Sequence, residues 1–458
     1  MRAFWAHVFG LHGATVLMSV GRPRSVVAAL GVVEWWATLR RGRPSSGNGH
    51  DTARPASITV SLRPKATLGM FAVCSVLHWI DKELQRLALQ GLLRSRRIRT
   101  GPQGACCKIE GKRVINFGSN DYLGLASDSR LAAAARAALR REGAGSGASP
   151  LVSGYSRYHR RLERKLAAFE ATEAALVCVS GYAANVGTVA ALVGPGDLVL
   201  SDAHNHASLL DGCRLSRADV RVYPHCDMAA LERLLQRAVG YRRRLIVTDT
   251  LFSMDGDLAL LPELADLAER YQAMLLVDEA HATGVFGQHG RGLVEFFGLE
   301  ERVAVRIGTL SKALGCAGGF VVGSKSLVDW LVNRARTYIF STAMSPPIAA
   351  AAAAAISIVR SEPHRRRQLL QRAELLREQL RRMGWDIGRS ASQIIPLVVG
   401  TPQRATVLAA QLFLRGVFVP AIRPPAVPEG QSCLRISLTA AHSDDHIAQL
   451  IDALAAAG

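Results

Sequence analysis

The feature that most constrains the fold is a unit that recurs from about residue 175 to residue 322: a short apolar run, a polar loop and a helical segment. The apolar runs cover residues 175–179, 198–200, 245–248, 274–277 and 303–307. Strands that are apolar along their whole length and alternate with helices indicate a mostly parallel sheet covered on both faces. Ligands of such sheets bind outside the carboxyl ends of the strands. The repeated unit therefore predicts an α/β fold with its site at those ends.

The last of these runs leads to Lys312, which stands on a glycine-rich loop behind Thr309 and Ser311. A lysine held on a tight loop can lose its proton and form an imine with an aldehyde. The two hydroxyl groups just before it can hold a phosphate. Taken alone, a lysine after a strand is more often a solvated loop residue. The combination of the lysine with the two hydroxyl groups also fits a lysine that binds pyridoxal phosphate (PLP).

Polar residues at the other strand ends support the PLP hypothesis. Gly181 and Tyr182 open a helix, where backbone N–H groups and the helix dipole favour a phosphate. Asp278 follows the fourth run and can keep a pyridine nitrogen protonated, so that the ring absorbs carbanion charge. His281 and Ser253 offer hydrogen-bond donors to the ring hydroxyl. Together these residues supply the groups that a PLP enzyme needs.

Two other motifs in this region suggest different chemistry. Residues 278–281 spell the DEAH box of nucleotide-driven helicases, but the phosphate loop GxxxxGK[ST] that such enzymes need is absent from the sequence. His204 and His206 can ligate a metal, yet one HxH pair without further ligands at suitable spacing is a weak metal signal. Asp255 and Asp257 are interpreted as turn residues. The sequence therefore predicts no metal site.

Composition argues against nucleic-acid binding and against a secreted scaffold. The formal net charge is +19, but the basic residues are mostly arginines scattered through helical segments, without interleaved aromatic residues or a recognisable binding module. Such a surface also suits anionic substrates such as acyl-CoA. The eight cysteines form no CxxC pair, so neither a zinc knuckle nor a disulfide framework is indicated. Reduced thiols and a cytoplasmic location are expected.

The chain divides into four segments by pattern. Residues 1–69 are rich in arginine, resemble a transit peptide, and lack an apolar run long enough to span a membrane. We expect them to be disordered or to precede a true start at Met70. A helical pattern over residues 78–99 and a hairpin around Gly111 come next. The other expected segments are an N-terminal helix and hairpin, a large PLP-binding domain and a smaller α+β C-terminal domain: residues 70–120, 121–345 and 346–458.

Several motifs, in order along the chain, resemble those of one enzyme family. The motifs are Gly118-Ser119-Asn120-Asp121-Tyr122-Leu123-Gly124-Leu125, Gly145-Ser146-Gly147-Ala148-Ser149, Leu151-Val152-Ser153-Gly154, Asp278-Glu279-Ala280-His281 and Gly308-Thr309-Leu310-Ser311-Lys312. They are similar to motifs of the α-oxoamine synthases, PLP enzymes that join an amino acid to an acyl thioester with loss of CO2. The resemblance covers roughly residues 75–458. It implies the PLP-dependent transferase fold of type I (aspartate aminotransferase-like), with a mostly parallel seven-stranded sheet.

The resemblance also implies roles for individual residues. Lys312 would bind the cofactor as an imine and later remove the Cα proton of the amino acid, while Asp278 would pair with the pyridinium nitrogen and His206 would stack on the ring. The remaining implied roles are these: His281 and Ser253 contact the ring hydroxyl; Gly181, Tyr182 and Thr309 hold the phosphate; Thr342 comes from the second subunit of a homodimer with shared sites; Arg423 binds the amino-acid carboxylate; and Arg94 binds the acyl substrate.

The C-terminal motifs narrow the expected substrates. The segments 421–425 and 434–442 are similar to the signature of members that join L-alanine to a pimeloyl thioester, carried by CoA or acyl carrier protein, in biotin biosynthesis. Two positions depart from the family: Pro150 stands where an Arg is frequent, and Ala426 where a Thr is frequent, which removes a hydroxyl expected near the substrate. Glycine with an acetyl thioester, serine with a palmitoyl thioester on a membrane-associated enzyme, and an inactive partner-binding subunit remain alternatives.

Overall fold

The computed structural model describes residues 76–457, and a seven-stranded sheet lies at its centre. The strands are β1 Arg99–Thr100, β2 Cys106–Ile109, β3 Lys112–Asn116, β4 Ala174–Cys178, β5 Leu198–Asp202, β6 Asp219–Tyr223, β7 Arg244–Asp249, β8 Met274–Asp278, β9 Val305–Thr309, β10 Gly319–Gly323, β11 Ile394–Gly400, β12 Val417–Phe418, β13 Ala421–Ile422 and β14 Ser432–Ser437. The expectation for residues 1–69 lies outside the described residues.

Helices cover the sheet and complete the small domain. They are α1 His78–Leu89, α2 Ser129–Glu142, α3 Arg157–Glu170, α4 Gly181–Leu192, α5 Ala207–Ser216, α6 Met228–Gln236, α7 Leu261–Arg270, α8 Leu293–Phe296, α9 Lys325–Arg334, α10 Arg336–Ile339, α11 Pro346–Ser361, α12 His364–Arg382, α13 Pro402–Leu414 and α14 Asp444–Ala455, and one π-helical turn spans Pro150–Gly154. Among the described helices, none combines the length and the apolar character that crossing a bilayer requires.

The central sheet has the strand order β4-β10-β9-β8-β7-β5-β6. β10 runs antiparallel to both of its neighbours, and every other neighbouring pair is parallel. Because two antiparallel pairings separate β4 from β9, these strands point the same way, and the carboxyl ends of β4, β5, β7, β8 and β9 all meet at one end of the sheet. The predicted fold class, with its mostly parallel sheet, is confirmed.

The small domain is built on an antiparallel sheet in the order β11-β14-β13. At the other end of the sequence, β2 and β3 form the predicted hairpin, whose turn residues Glu110 and Gly111 both have positive φ, 50° and 75°. β12 then pairs in parallel with β3 and joins this hairpin to the C-terminal part of the chain. The helix predicted over residues 78–99 was too long: α1 ends at Leu89, and Arg94 lies in the loop before β1.

The antiparallel strand β10 brings Gly319 against the start of α4. A Cβ atom at Gly319 would lie 2.6 Å from both the backbone N and the Cα of Gly181 and 2.6 Å from the carbonyl O of Ser180. Only glycine therefore lets the central sheet approach the first turn of α4 so closely. This contact fixes where the amino end of that helix lies relative to β9.

We expect Gly319→Ala to destabilise the protein by about 1–3 kcal/mol, because the added methyl group must displace backbone that is already packed. Gly194→Ala is the matched control, since a Cβ there would meet only the carbonyl O of Ser216 at 3.8 Å. Urea unfolding followed by circular dichroism measures both changes. Equal midpoints for the two variants would contradict the close-approach argument.

Candidate active site

The loop after β9 places Lys312 at the carboxyl end of the sheet. The Lys312 Nζ lies 2.9 Å from Nε2 of His281, a residue of the loop that follows the neighbouring strand β8. Burial lowers the pKa of Lys312 to about 8, partly opposed by the carboxylates of Asp278 and Asp249. The neutral, nucleophilic amine therefore forms already at a pH slightly above neutrality. A lysine must be neutral to form an imine with a cofactor aldehyde.

A chain of polar contacts continues from His281. Its Nδ1 lies 2.6 Å from the hydroxyl of Tyr122, and burial together with the charge of Lys312 lowers the pKa of His281 well below its usual range. The Tyr122 hydroxyl also faces Nη2 of Arg435 at 3.5 Å, and Nη1 of Arg435 donates to Oδ1 of Asn120 at 3.0 Å. A neutral imidazole thus links the lysine to a tyrosine and a buried arginine.

Asp278 ends β8 and is held by donors on both carboxylate oxygens. The side-chain amide of Asn185, in α4, donates to Oδ2 at 2.6 Å, and the backbone N–H of Ala280 donates to Oδ1 at 2.8 Å. Asp249 ends the adjacent strand β7, and burial, with the charge of Asp278, raises its pKa well above the usual range. Asp278, held by donors on both oxygens at the carboxyl end of β8, is therefore the acid positioned to pair with a cationic ring nitrogen.

His206 lies beside this pair. Its backbone N–H donates to Asp249 at 2.6 Å, and its Nδ1 is 2.7 Å from the hydroxyl of Ser208. Burial lowers the pKa of His206, and the charges of Asp278 and Lys312 act on it in opposite directions. His204 has different partners, since its Nδ1 pairs with Asp255 at 3.0 Å. The two histidines of the HxH motif therefore do not converge on a common ligand.

The first turn of α4 and the end of β9 lie against each other and offer groups suited to a phosphate. A Cβ atom at Gly181 would lie 3.4 Å from the Thr309 hydroxyl, which is itself 2.7 Å from the hydroxyl of Ser311. The N–H groups at the start of a helix have no partner within it and favour anions. Tyr182 is half exposed, and its hydroxyl donates to Asp211.

These residues fit PLP. Asp278 would hold the pyridinium nitrogen, His206 would face the ring, and Gly181 with Thr309 would hold the phosphate. The amide oxygen of Asn185 is a further sign of a polar ligand, because it is buried and has no hydrogen-bond partner among the described residues. The lysine, the carboxylate and the phosphate-binding turn come from three different loops at one end of the sheet.

The remaining predicted site residues lie in the loops around this central group or in neighbouring clefts. Arg94 and Arg423 line a cleft of about 550 Å³ together, where Arg94 donates to the carbonyl of Pro424 at 2.9 Å and Arg423 donates to that of Gly91 at 2.5 Å. Ala426 is exposed in the loop that follows. Thr342 is exposed and lines a separate cavity, and the carbonyl of Ser253 accepts from Nε of Arg435.

Sequence reasoning missed four residues of the central group: Asn185, Asp249, Tyr122 and Arg435. A signal existed for Asn185, which is a polar residue inside an otherwise apolar helix, and such a residue needs a partner when it is buried. Tyr122 and Arg435 stand inside the quoted motifs, but nothing in the sequence spacing places residue 435 beside residue 122. Only the pairing of the small domain with the N-terminal hairpin brings them together.

Comparison with known proteins agrees with this geometry. Residues 112–454 match the family model of the class I and II aminotransferases. A protein of Anaeromyxobacter dehalogenans strain 2CP-1, named 8-amino-7-oxononanoate synthase, is 51% identical over 380 residues, which are 83% of this chain and 95% of that protein. A protein of the same name from Lysinibacillus sphaericus is 45% identical over 370 residues, covering 81% and 95%. The chain belongs to the α-oxoamine synthases, within the class I and II aminotransferase family.

Solved structures of this family share the fold. A variant of the serine palmitoyltransferase of S. paucimobilis with a bound PLP–myriocin aldimine superposes with a TM-score of 0.80 at 32% identity, covering 84% of this chain and 98% of that one. The 8-amino-7-oxononanoate synthase of Francisella tularensis has a TM-score of 0.65 at 28% identity, covering 75% and 97%. This α-oxoamine synthase is thus a PLP-dependent acyltransferase, which confirms the predicted family, fold type and cofactor.

We expect the low pKa of Lys312 to be visible in the protein freed of cofactor. Because burial lowers that pKa to about 8, the neutral fraction of Lys312, and with it the rate of acetylation by limiting acetic anhydride, should rise with pH and level off above about pH 8. An exposed lysine ordinarily titrates near about 10.4. Peptide mass spectrometry across pH 6–11 compares Lys312 with Lys325, whose side chain is exposed. Two coincident pH profiles would refute the shift.

Proposed function

We propose that this enzyme condenses L-alanine with a pimeloyl thioester to give 8-amino-7-oxononanoate, CO2 and the free thiol, as a step of biotin biosynthesis in the cytoplasm. The observation that carries the proposal is the name 8-amino-7-oxononanoate synthase, which relatives at 51% and 45% identity share. The alignment with this chain covers 95% of the length of each relative. The C-terminal segment that contains Arg423 supports the same assignment through its resemblance to that group.

The catalytic roles rest on the contacts around Lys312. PLP, when bound, supplies an electron sink for the charge that develops at the amino-acid Cα. Lys312 takes the Cα proton, and a pKa of about 8 suits a base that works near neutral pH. Asp278, fixed by Asn185, keeps the ring nitrogen protonated. His281 stays neutral and can exchange a proton with Lys312 on one side and with Tyr122 on the other.

The condensation requires that the reactants be held in order. The Cα of alanine forms a carbon–carbon bond with the thioester carbonyl, and the thiol leaves with the Cα proton. The carboxylate then leaves as CO2, and a proton from Lys312 or solvent takes its place on Cα. Until that loss, an arginine must hold the carboxylate, because a charge-assisted bidentate contact is stronger than a neutral one. We propose Arg423 for this role and Arg94 for the acyl thioester, whose carrier is CoA or acyl carrier protein.

A second candidate function is the condensation of serine with a palmitoyl thioester. It is favoured by the structural likeness to serine palmitoyltransferase, with its TM-score of 0.80. Glycine with an acetyl thioester is a third possibility within the family. The choice among these substrates also depends on Ala426. This position is expected near the substrate, and alanine lacks the hydroxyl of the threonine that is frequent there.

The deciding experiment is a substrate panel with the purified holoenzyme. Alanine, glycine and serine are each assayed against pimeloyl, acetyl, succinyl and palmitoyl thioesters by release of the thiol. We expect alanine with the pimeloyl thioester to give the highest kcat/KM. A higher value for serine with palmitoyl-CoA, or for glycine with acetyl-CoA, would overturn the biotin assignment while leaving the family unchanged.

The carboxylate ligand is tested by two arginine variants. Arg423→Ala should raise the KM for alanine about 10–100-fold, the value of one lost charge-assisted contact, and should change the KM for the thioester less. Arg435 is the alternative, since it lies beside Tyr122 and Asn120 next to Lys312. If Arg435→Ala raises the KM for alanine and Arg423→Ala does not, then Arg435 holds the carboxylate.

We further propose a homodimer in which Thr342 of each subunit completes the phosphate site of the other. In one chain Thr342 is exposed, and the nearby Phe340 is 69% exposed, as expected of residues that a second subunit covers.

Mixing Lys312→Ala with Thr342→Ala under subunit exchange should restore activity, because each heterodimer has one intact site. At equal mixing about a quarter of the normal sites are intact. No recovery despite proven exchange would disprove a shared site.

A further inference from the structure

A buried charged cluster lies beside the loop that carries Ser253. We define it by three residues: Asp202 at the end of β5, His225 in the loop after β6, and Asp257 in the loop after β7. Nδ1 of His225 lies 2.8 Å from Oδ1 of Asp202, and its Nε2 lies 3.0 Å from Oδ2 of Asp257. The mechanism proposed above uses none of these side chains.

The geometry of the charged cluster fixes the protonation of His225. A neutral imidazole has one N–H donor and one acceptor nitrogen, whereas both nitrogens of His225 face carboxylate oxygens. Asp202 is bound as a carboxylate, since it accepts the backbone N–H of His204 at 2.8 Å and that of Cys226 at 2.9 Å. Asp257 is also paired with Arg389 at 2.9 Å. Both ring nitrogens must therefore donate, which makes His225 an imidazolium.

The surroundings of the ring agree with a fixed cation. The ring of His204 stacks on His225 with centroids 4.1 Å apart, and the ring of Phe252 meets its edge at 4.3 Å. The Sγ of Cys226 lies 3.7 Å from Nε2. Although burial acts to lower it, the hydrogen bonds with Asp202 and Asp257 hold the pKa of His225 well above its usual range. His204 is in turn paired with Asp255 through its Nδ1 at 3.0 Å.

The charged cluster holds the loop that carries Ser253. The backbone N–H of Phe252 donates to the carbonyl of Asp257 at 3.1 Å, and that of Gly256 donates to the carbonyl of Phe252 at 2.9 Å, so residues 252–257 form one closed turn. His225 binds this turn through Asp257, and Arg435 binds it through the carbonyl of Ser253. The position of Ser253 therefore depends on a contact at each end of the turn.

We infer that His225 is a positioning residue of the active site: as a permanent imidazolium it clamps Asp202 to Asp257 and thereby sets the place of Ser253 against the cofactor ring. The inference rests on the proposed PLP chemistry and on the contact between Ser253 and the ring hydroxyl that the family resemblance implies. It does not depend on which thioester the enzyme uses, and the tests below do not involve substrate choice.

The protonation state is measured first, on the full-length holoenzyme labelled with 15N-histidine. We expect both ring nitrogens of His225 to carry protons at pH 8. The signal is assigned by its absence from His225→Gln or, if that variant does not fold, by its displacement in Asp257→Asn, which keeps the imidazole and removes one partner. A neutral ring at pH 8 would overturn the inference.

The positioning role is measured by the ratio of the two absorption bands of bound PLP, which responds to donors at the ring hydroxyl and not to overall stability. His225→Gln and Ser253→Ala should each change this ratio, and the double variant should change it no further than Ser253→Ala alone. The kcat/KM of His225→Gln should fall about 10–100-fold, as expected for a small displacement near the reacting atoms. His289→Gln, an exposed histidine paired with Glu295, is the matched control and should leave the ratio unchanged.

Every other outcome counts against the inference. Additive changes in the double variant would mean that His225 acts independently of Ser253. A change in His225→Gln without one in Ser253→Ala would exclude Ser253 as the group that His225 positions. An unchanged ratio in a folded His225→Gln or Asp257→Asn variant would mean that the charged cluster only stabilises the fold.

Discussion

The removal of the Lys312 amine from water is the constraint on which this structure depends. An ammonium group in a dry site loses hydration, so burial favours the neutral amine, and the neighbouring carboxylates limit that shift to a pKa of about 8. Three strands, β7, β8 and β9, each end at a member of this arrangement: Asp249, Asp278 and the Thr309 that precedes the lysine loop. The parallel sheet is thus the means by which residues far apart in the sequence form one electrostatic unit.

Much of this arrangement follows from the sequence, because it depends on local pattern. Continuous apolar runs identify buried parallel strands, and the polar residues after them must then lie at one end of the sheet. Lys312, Asp278, His281 and Gly181 could be predicted in this way. The strand β6 could not, since it lies at the sheet edge and three of its five residues are exposed. An edge strand lacks the apolar signal that a central strand carries.

The residues that escaped prediction are those whose partners belong to distant parts of the chain. The motif of Arg423 assigns it to the substrate, but the motif does not show that its guanidinium also donates to the Gly91 carbonyl in the N-terminal loop. Arg435 stands twelve residues later and donates to Asn120 and Ser253. Sequence spacing cannot distinguish these two arginines, because the distinction is made by strand register in a small antiparallel sheet. His225 was missed for the same reason, since its partners follow two other strands.

The pairing of β12 with β3 has a consequence for how the protein is made. The side chain that contacts Tyr122 and Asn120, and the strand that extends the N-terminal hairpin, both leave the ribosome after the lysine loop. When the ribosome has made the lysine loop, it has not yet made β12 or Arg435. Until those segments have been made, the contacts of Arg435 with Tyr122 and Asn120 cannot form. The polar surroundings of Lys312 are therefore complete only after β14 has been synthesised.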